Sequence, residues 1–128
     1  MSLLLDTHTL FWWVTDNPML SEHARRSIAG EEEHRYVSAV SVFEISNKVR
    51  LGKFEPAREL VERLPEVMAY YRFIPLAVSA EHARLAGHLA NPHRDPFDRL
   101  LAAQSLSENI PIVTMDAAIK ELGARVVW

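Results

Sequence analysis

The chain contains no cysteine. That excludes disulfides and thiolate metal sites, and it fits a reducing, cytoplasmic setting. It also lacks any apolar run near the roughly 18 residues needed to span a membrane. The opening MSLLLDTHTLFWWV is apolar. It has no basic leader, however, and Asp6 and His8 interrupt it, so it is not read as a signal peptide. An excess of positive charge is missing too. With 14 Lys+Arg against 17 Asp+Glu the formal net charge is −3, which gives no broad attraction for nucleic acid and leaves only local basic patches for such contacts. No internal repeat, low-complexity tract or dividing linker interrupts the chain.

What is there suits one domain over residues 1–128. Apolar residues make up 48% and charged residues 24%, and a chain of this size buries roughly 70% of its unfolded surface. SLLL (2–5) reads as a strand buried on both faces. A helix is expected from Thr9, and a second, EHARRSIA, between its cap Ser21 and Gly30. RYVSA (35–39) is a strand. Ser41 to Leu51 is a helix stopped by Gly52, and Pro56 opens another to about Tyr70. RFIPLA (72–77) is a strand whose Pro75 demands an edge. Ser79 caps a helix to about Ala90, and Asp95, with Pro96 at the first helical position, starts the next. IPIVTM (110–115) is a strand, Asp116 to Leu122 a short helix ended by Gly123, and ARVVW the last strand. Strands alternating with helices mean an α/β fold, with a mostly parallel sheet of about five strands covered on both faces.

In such sheets functional groups gather beyond the carboxyl ends of the strands. Asp6 directly follows the first strand and Asp116 the IPIVTM strand. Glu44 and Asp98 fall in the first turns of helices at that same end. Each helix acid has a local explanation. Glu44 completes a capping box with Ser41 and sits four residues before Lys48, Asp116 can cap its own helix, and Asp98 suits a helix dipole. Asp6, joined to a buried strand, is costly unless paired or metal-bound. Carboxylates about 5 Å apart repel by roughly 3 kcal/mol per pair at an effective dielectric near 20. Caps worth about 1 kcal/mol do not offset several such repulsions. A divalent cation does, and hard oxygen ligands favour Mg²⁺ or Mn²⁺. Phosphodiester hydrolysis with a metal-activated water is the natural chemistry.

LLLDTHTLFWW, YVSAVSVFEISNKVRLGK and HRDPFDRLLAAQSLSENIPIVTMD, in that order over almost the whole chain, resemble the PIN domain. More narrowly, they resemble the VapC-type toxin ribonucleases of type II toxin–antitoxin systems. The resemblance implies a three-layer α/β/α sandwich and a metal-dependent endoribonuclease with an acidic Mg²⁺ or Mn²⁺ site. It also implies a homodimer inhibited by a cognate VapB-like antitoxin. Carried over, the site acids are Asp6, Glu44, Asp98 and Asp116. Asp95 lies outside the pattern and is assigned mainly to capping, with a site role left open. Thr7 and Thr114 are candidates to hydrogen-bond the site acids, and Lys48, Arg50, Arg94 and Arg99, with Lys53 beside the first two, to contact RNA phosphates, Arg99 alternatively pairing with a site acid.

A non-catalytic PIN-fold module that binds protein or RNA is the alternative. A haloacid-dehalogenase-type phosphatase fits less well, because Asp6-Thr7-His8-Thr9 lacks its second aspartate and Gly-Thr. A response-regulator receiver needs a mid-chain acceptor aspartate that is absent. His8 and His93 lie near candidate acids, although loop or surface roles are expected for them. Phe11, Trp12 and Trp13 read as core rather than as a base-stacking platform, with a dimer or antitoxin contact as the alternative for some of them.

Overall fold

Short runs of branched and apolar residues build the centre of the molecule. The computed structural model describes all 128 residues. Its sheet comprises β1 (Ser2–Leu5), β2 (His34–Ser38), β3 (Ile74–Leu76), β4 (Ile112–Val113) and β5 (Val126–Val127). The spatial order is β3-β2-β1-β4-β5, and every neighbouring pair is parallel. Successive strand residues point to opposite faces, so the central strand feeds two cores. Leu3 and Leu5 pack with Leu10, Ile28 and Ile45 on one face. Leu4 packs with Leu101, Ile112 and Ile119 on the other. Helices therefore cover both faces, giving the expected three layers.

Those helices are α1 (Thr7–Val14), α2 (Glu22–Ala29), α3 (Ala39–Arg50), α4 (Arg58–Glu62), α5 (Leu64–Tyr70), α6 (Ala80–His88), α7 (Pro96–Glu108) and α8 (Ala117–Glu121). From β1 the chain builds outward through β2 to β3, then returns to lay β4 on the other flank of β1. That reversal makes the β1/β4 boundary the switch point, where parallel sheets open a crevice. β3 is an edge strand, as Pro75 requires.

The strands expected over 72–77, 110–115 and 124–128 are shorter, at Ile74–Leu76, Ile112–Val113 and Val126–Val127, and three helix boundaries differ for physical reasons. α1 starts at Thr7 rather than Thr9, because Asp6 itself is the cap and accepts from the Thr9 amide at 2.8 Å. α3 starts at Ala39, because Ser38, still extended as β2 ends, accepts from the Val40 amide at 3.0 Å. Ser41 then lies inside the helix, its hydroxyl buried without a hydrogen-bond partner. The Ser41–Glu44 capping box is therefore not formed, and Glu44 lies beyond the first turn. Finally, the helix expected from Pro56 to Tyr70 is a 3-10 turn (Glu55–Ala57) followed by α4 and α5, broken at Arg63. Pro65 lacks the N–H that a continuing helix needs, and it suits the first turn of a new one.

Candidate metal centre

The end of β1 and the end of β4 deliver the innermost acid. Asp6 is 6% exposed. One of its oxygens accepts from the Thr9 amide, and the other from the Thr114 hydroxyl at the end of β4. Thr114 Oγ1 also accepts from the Asp116 amide at 3.0 Å, and Thr9 Oγ1 donates to the Val113 carbonyl at 2.8 Å. The acid is thus fastened across the switch point. Burial pushes its carboxyl above the ordinary carboxylate range, against the lowering effect of the Thr114 and Thr9 hydrogen bonds.

Release from capping leaves Glu44 free to face α1. The Thr7 hydroxyl donates to Glu44 Oε1 at 2.6 Å, and Lys48 Nζ lies 3.3 Å from Oε2. Asp116 caps α8 through the Ala118 amide at 2.9 Å. At the start of α7, Asp95 accepts from the Phe97 and Asp98 amides. The Asp98 side chain is 17% exposed and lies 2.8 Å from His93 Nε2. Burial raises the Asp98 carboxyl, His93 lowers it, and the neighbouring charges of Asp95 and Asp116 raise it further.

One polar pocket of about 140 Å³ is lined by Asp6, Glu44, Asp95, Asp98 and Asp116, together with Thr7, His8 and Lys48. The four acids carried over from the sequence are therefore brought together, and Asp95 shares their pocket while also capping its helix. Thr7 and Thr114 both hydrogen-bond these acids. Among the cationic side chains only Lys48 pairs with these five carboxylates, and His93 hydrogen-bonds Asp98. Carboxylate oxygens in such excess over positive charge are the hard donors that a divalent cation takes. Ligand atoms of three such residues come within 4.8 Å of one another only at His93, Asp95 and Asp98, while Asp6, Glu44 and Asp116 line the same pocket without joining that set. Sequence reasoning placed His93 in a loop or surface role, and no local rule links it to the carboxyl of Asp98 five residues later.

The basic candidates divide. Lys48 lines the pocket, and Arg94 is exposed beside the start of α7. Arg50 is exposed and donates to Asn47 Oδ1. Arg99 has a different job from the RNA contact expected of it. Four of its five N–H donors go to the carbonyls of Ala86, Leu89, Asn91 and His93, at 2.6–2.9 Å. It clamps the loop that carries His93 to Asp98.

A doubly covered parallel sheet, with acidic oxygens gathered at its switch point, defines the class: an α/β/α sandwich with an acidic pocket at the carboxyl ends of its strands. The PIN domain family model matches residues 3–124, and the chain belongs to that family. It is 26% identical over 119 residues to Ribonuclease VapC22 of Mycobacterium tuberculosis, covering 93% of this chain and 90% of that one. VapBC2 from Rickettsia felis, solved bound to a DNA fragment from its promoter, superposes with a TM-score of 0.70 at 17% identity, covering 98% of this chain and 97% of that one. VapBC-1 from nontypeable Haemophilus influenzae gives a TM-score of 0.68 at 18% identity, covering 98% and 96%. These structures share the fold, and the resemblance to VapC-type proteins first read from the motifs holds.

Proposed function

We propose that this chain is a Mg²⁺- or Mn²⁺-dependent endoribonuclease, the toxin of a toxin–antitoxin pair, which hydrolyses RNA phosphodiester bonds in the cytoplasm. The observation that carries the reading is the convergence of Asp6, Glu44, Asp98 and Asp116, from four separate elements, on one pocket at the switch point. Asp6 and Asp116 would hold the cation from the sheet side, with Thr114 fixing both through its hydroxyl. Glu44 and Asp98 would hold it from the helices, oriented by Thr7 and His93. When bound, the cation supplies positive charge against the phosphate and lowers the pKa of the attacking water. No side-chain base is then required, and the chain's own task is to fix donors and exclude other geometries. Lys48, held beside Glu44, places an ammonium at the mouth of the pocket for a phosphate oxygen. A cognate antitoxin is part of this reading, supported by the VapBC structures that share the fold, and a homodimer is part of it on the motif resemblance alone.

The test is cleavage of a panel of structured RNAs by the purified protein with Mn²⁺, Mg²⁺ or chelator, alongside calorimetric titration of the cation. Cleavage with either metal and none in chelator is expected. Failure to cleave any RNA, together with no cation binding, would replace this reading with that of a non-catalytic binding module.

A further inference from the structure

A second pocket, of about 350 Å³, adjoins the acidic one and shares His8 and Lys48 with it. Its other linings are Phe11, Trp12, Lys53 and Phe54. Local structure explains how these residues meet. His8, Phe11 and Trp12 fall at i, i+3 and i+4 on α1 and so share one face. Beyond α3, Gly52 adopts a φ of +72°, open to glycine without strain. The turn it makes is closed by the Lys53 amide donating to the Lys48 carbonyl at 2.8 Å. That reversal returns Lys53 and Phe54 towards α1, where the Phe54 and Phe11 ring centres lie 4.7 Å apart. The His8 ring sits 5.5 Å from Trp12 and 6.2 Å from Phe54.

The chemistry of this pocket is opposite to that of its neighbour. It carries aromatic faces, the ammonium of Lys53 and that of Lys48, which is paired on its other side with Glu44, and no carboxylate lines it, although the chain has a net charge of −3. Aromatic rings beside cations are the arrangement that holds one unstacked base and its phosphate. The volume lies at the small end of ordinary ligand pockets. A base paired and stacked within a duplex cannot lie against these rings. An acidic peptide would use the lysines but would gain less from the rings.

Resting on the nuclease reading above, we infer that the His8–Trp12–Phe54 pocket, with Lys48 and Lys53, holds the unpaired nucleotide next to the scissile phosphate. Cleavage then requires single-stranded RNA at that position. The assignment changes the expected place of Trp12, which packs against the core and against the Trp128 ring 5.8 Å away and also lines this pocket.

The experiment starts from a single-stranded RNA oligonucleotide cleaved by the wild type, selected from a randomised pool, with its cut site mapped. An abasic nucleotide is then stepped through the positions flanking the cut, which leaves the protein untouched. One position should raise KM on the order of tenfold. Phe54→Leu should raise KM by a similar factor, and abasic substitution at that same position should then have little further effect. Lys53→Met, at an exposed residue, should weaken KM and reduce the salt dependence of log KM by roughly 0.7, the signature of one lost phosphate contact on a single strand. Annealing a complementary strand across that position should suppress cleavage, whereas Arg84→Met, an exposed arginine paired with Glu81, should change nothing. If the wild type cleaves but no abasic position matters and Lys53→Met keeps the wild-type salt slope, the inference fails while the nuclease reading stands. Unchanged cleavage with weakened binding of an antitoxin protein would make the pocket a protein-docking surface and also overturn it. A wild type that cleaves no RNA overturns both.

Discussion

Asp6 and Asp98 face the same pocket, but the protein holds them by different means. Asp6 is fixed by the sheet: it is almost wholly buried, and both of its oxygens are engaged by groups from α1 and the end of β4. Asp98 is fixed by a loop: its partner is His93, and His93 stays in place because Arg99 grips the loop's carbonyls. One half of the centre is therefore as rigid as the core. The other depends on a hydrogen-bonded clamp nearer the surface, and elements of this kind open more readily.

The largest effect should come from Asp98→Asn. It removes the cation donor proposed above while preserving shape, and losing several kcal/mol of transition-state stabilisation should lower cleavage on the order of a thousandfold. A variant that still cleaves within tenfold of the wild type would remove Asp98 from the centre.

Arg99→Met tests the loop half. Hydrogen bonds to charged donors are worth about 1.5–3 kcal/mol each when buried, and this side chain is only partly so. A total loss of about 2–3 kcal/mol is expected, read as a drop in melting temperature on the order of 10 °C. A melting curve indistinguishable from the wild type would show that the clamp is ornamental.

Thr114→Val tests the sheet half more gently. Groups that orient metal ligands typically contribute roughly 10–100-fold in metal affinity, so Mn²⁺ titration should weaken by about that factor while the fold is kept. Asp95→Asn separates capping from charge, because asparagine caps as well as aspartate does. Cleavage should fall by less than about tenfold at unchanged melting temperature. A loss equal to that of Asp98→Asn would make Asp95 a full donor.

The smallest effect is on pH dependence. The folded carboxyls of Asp6 and Asp98 lie above their ordinary value of 3.8, raised chiefly by burial. Between that value and the raised one, the folded state binds more protons than the unfolded state. Stability without cation therefore falls as pH rises through this window and levels off above it. In chelator, the difference in melting temperature between Asp98→Asn and the wild type should grow in the variant's favour from acid to neutral pH. Added Mn²⁺ at neutral pH should restore the wild type's stability. A difference that does not change with pH would mean Asp98 is not held against its charge.

The sequence by itself determined the five parallel strands, the edge place of β3, and the identity of the acids beyond β1 and β4. Apolar runs, proline and helix caps act within a few residues, and those rules are written locally. It also gave Asp95 its helix-starting role, which the structure keeps. Tertiary structure alone decided the rest. Ser38 took the cap that Ser41 was expected to supply, since the point where β2 leaves the sheet sets where α3 begins. Glu44 was thereby freed to meet Thr7, 37 residues away, and Thr114 reached Asp6 across 108. Arg99 turned inward to the carbonyls of a loop that no periodicity marks. Contacts of that length depend on which strands lie side by side, and strand adjacency is fixed only when both faces of the sheet are buried.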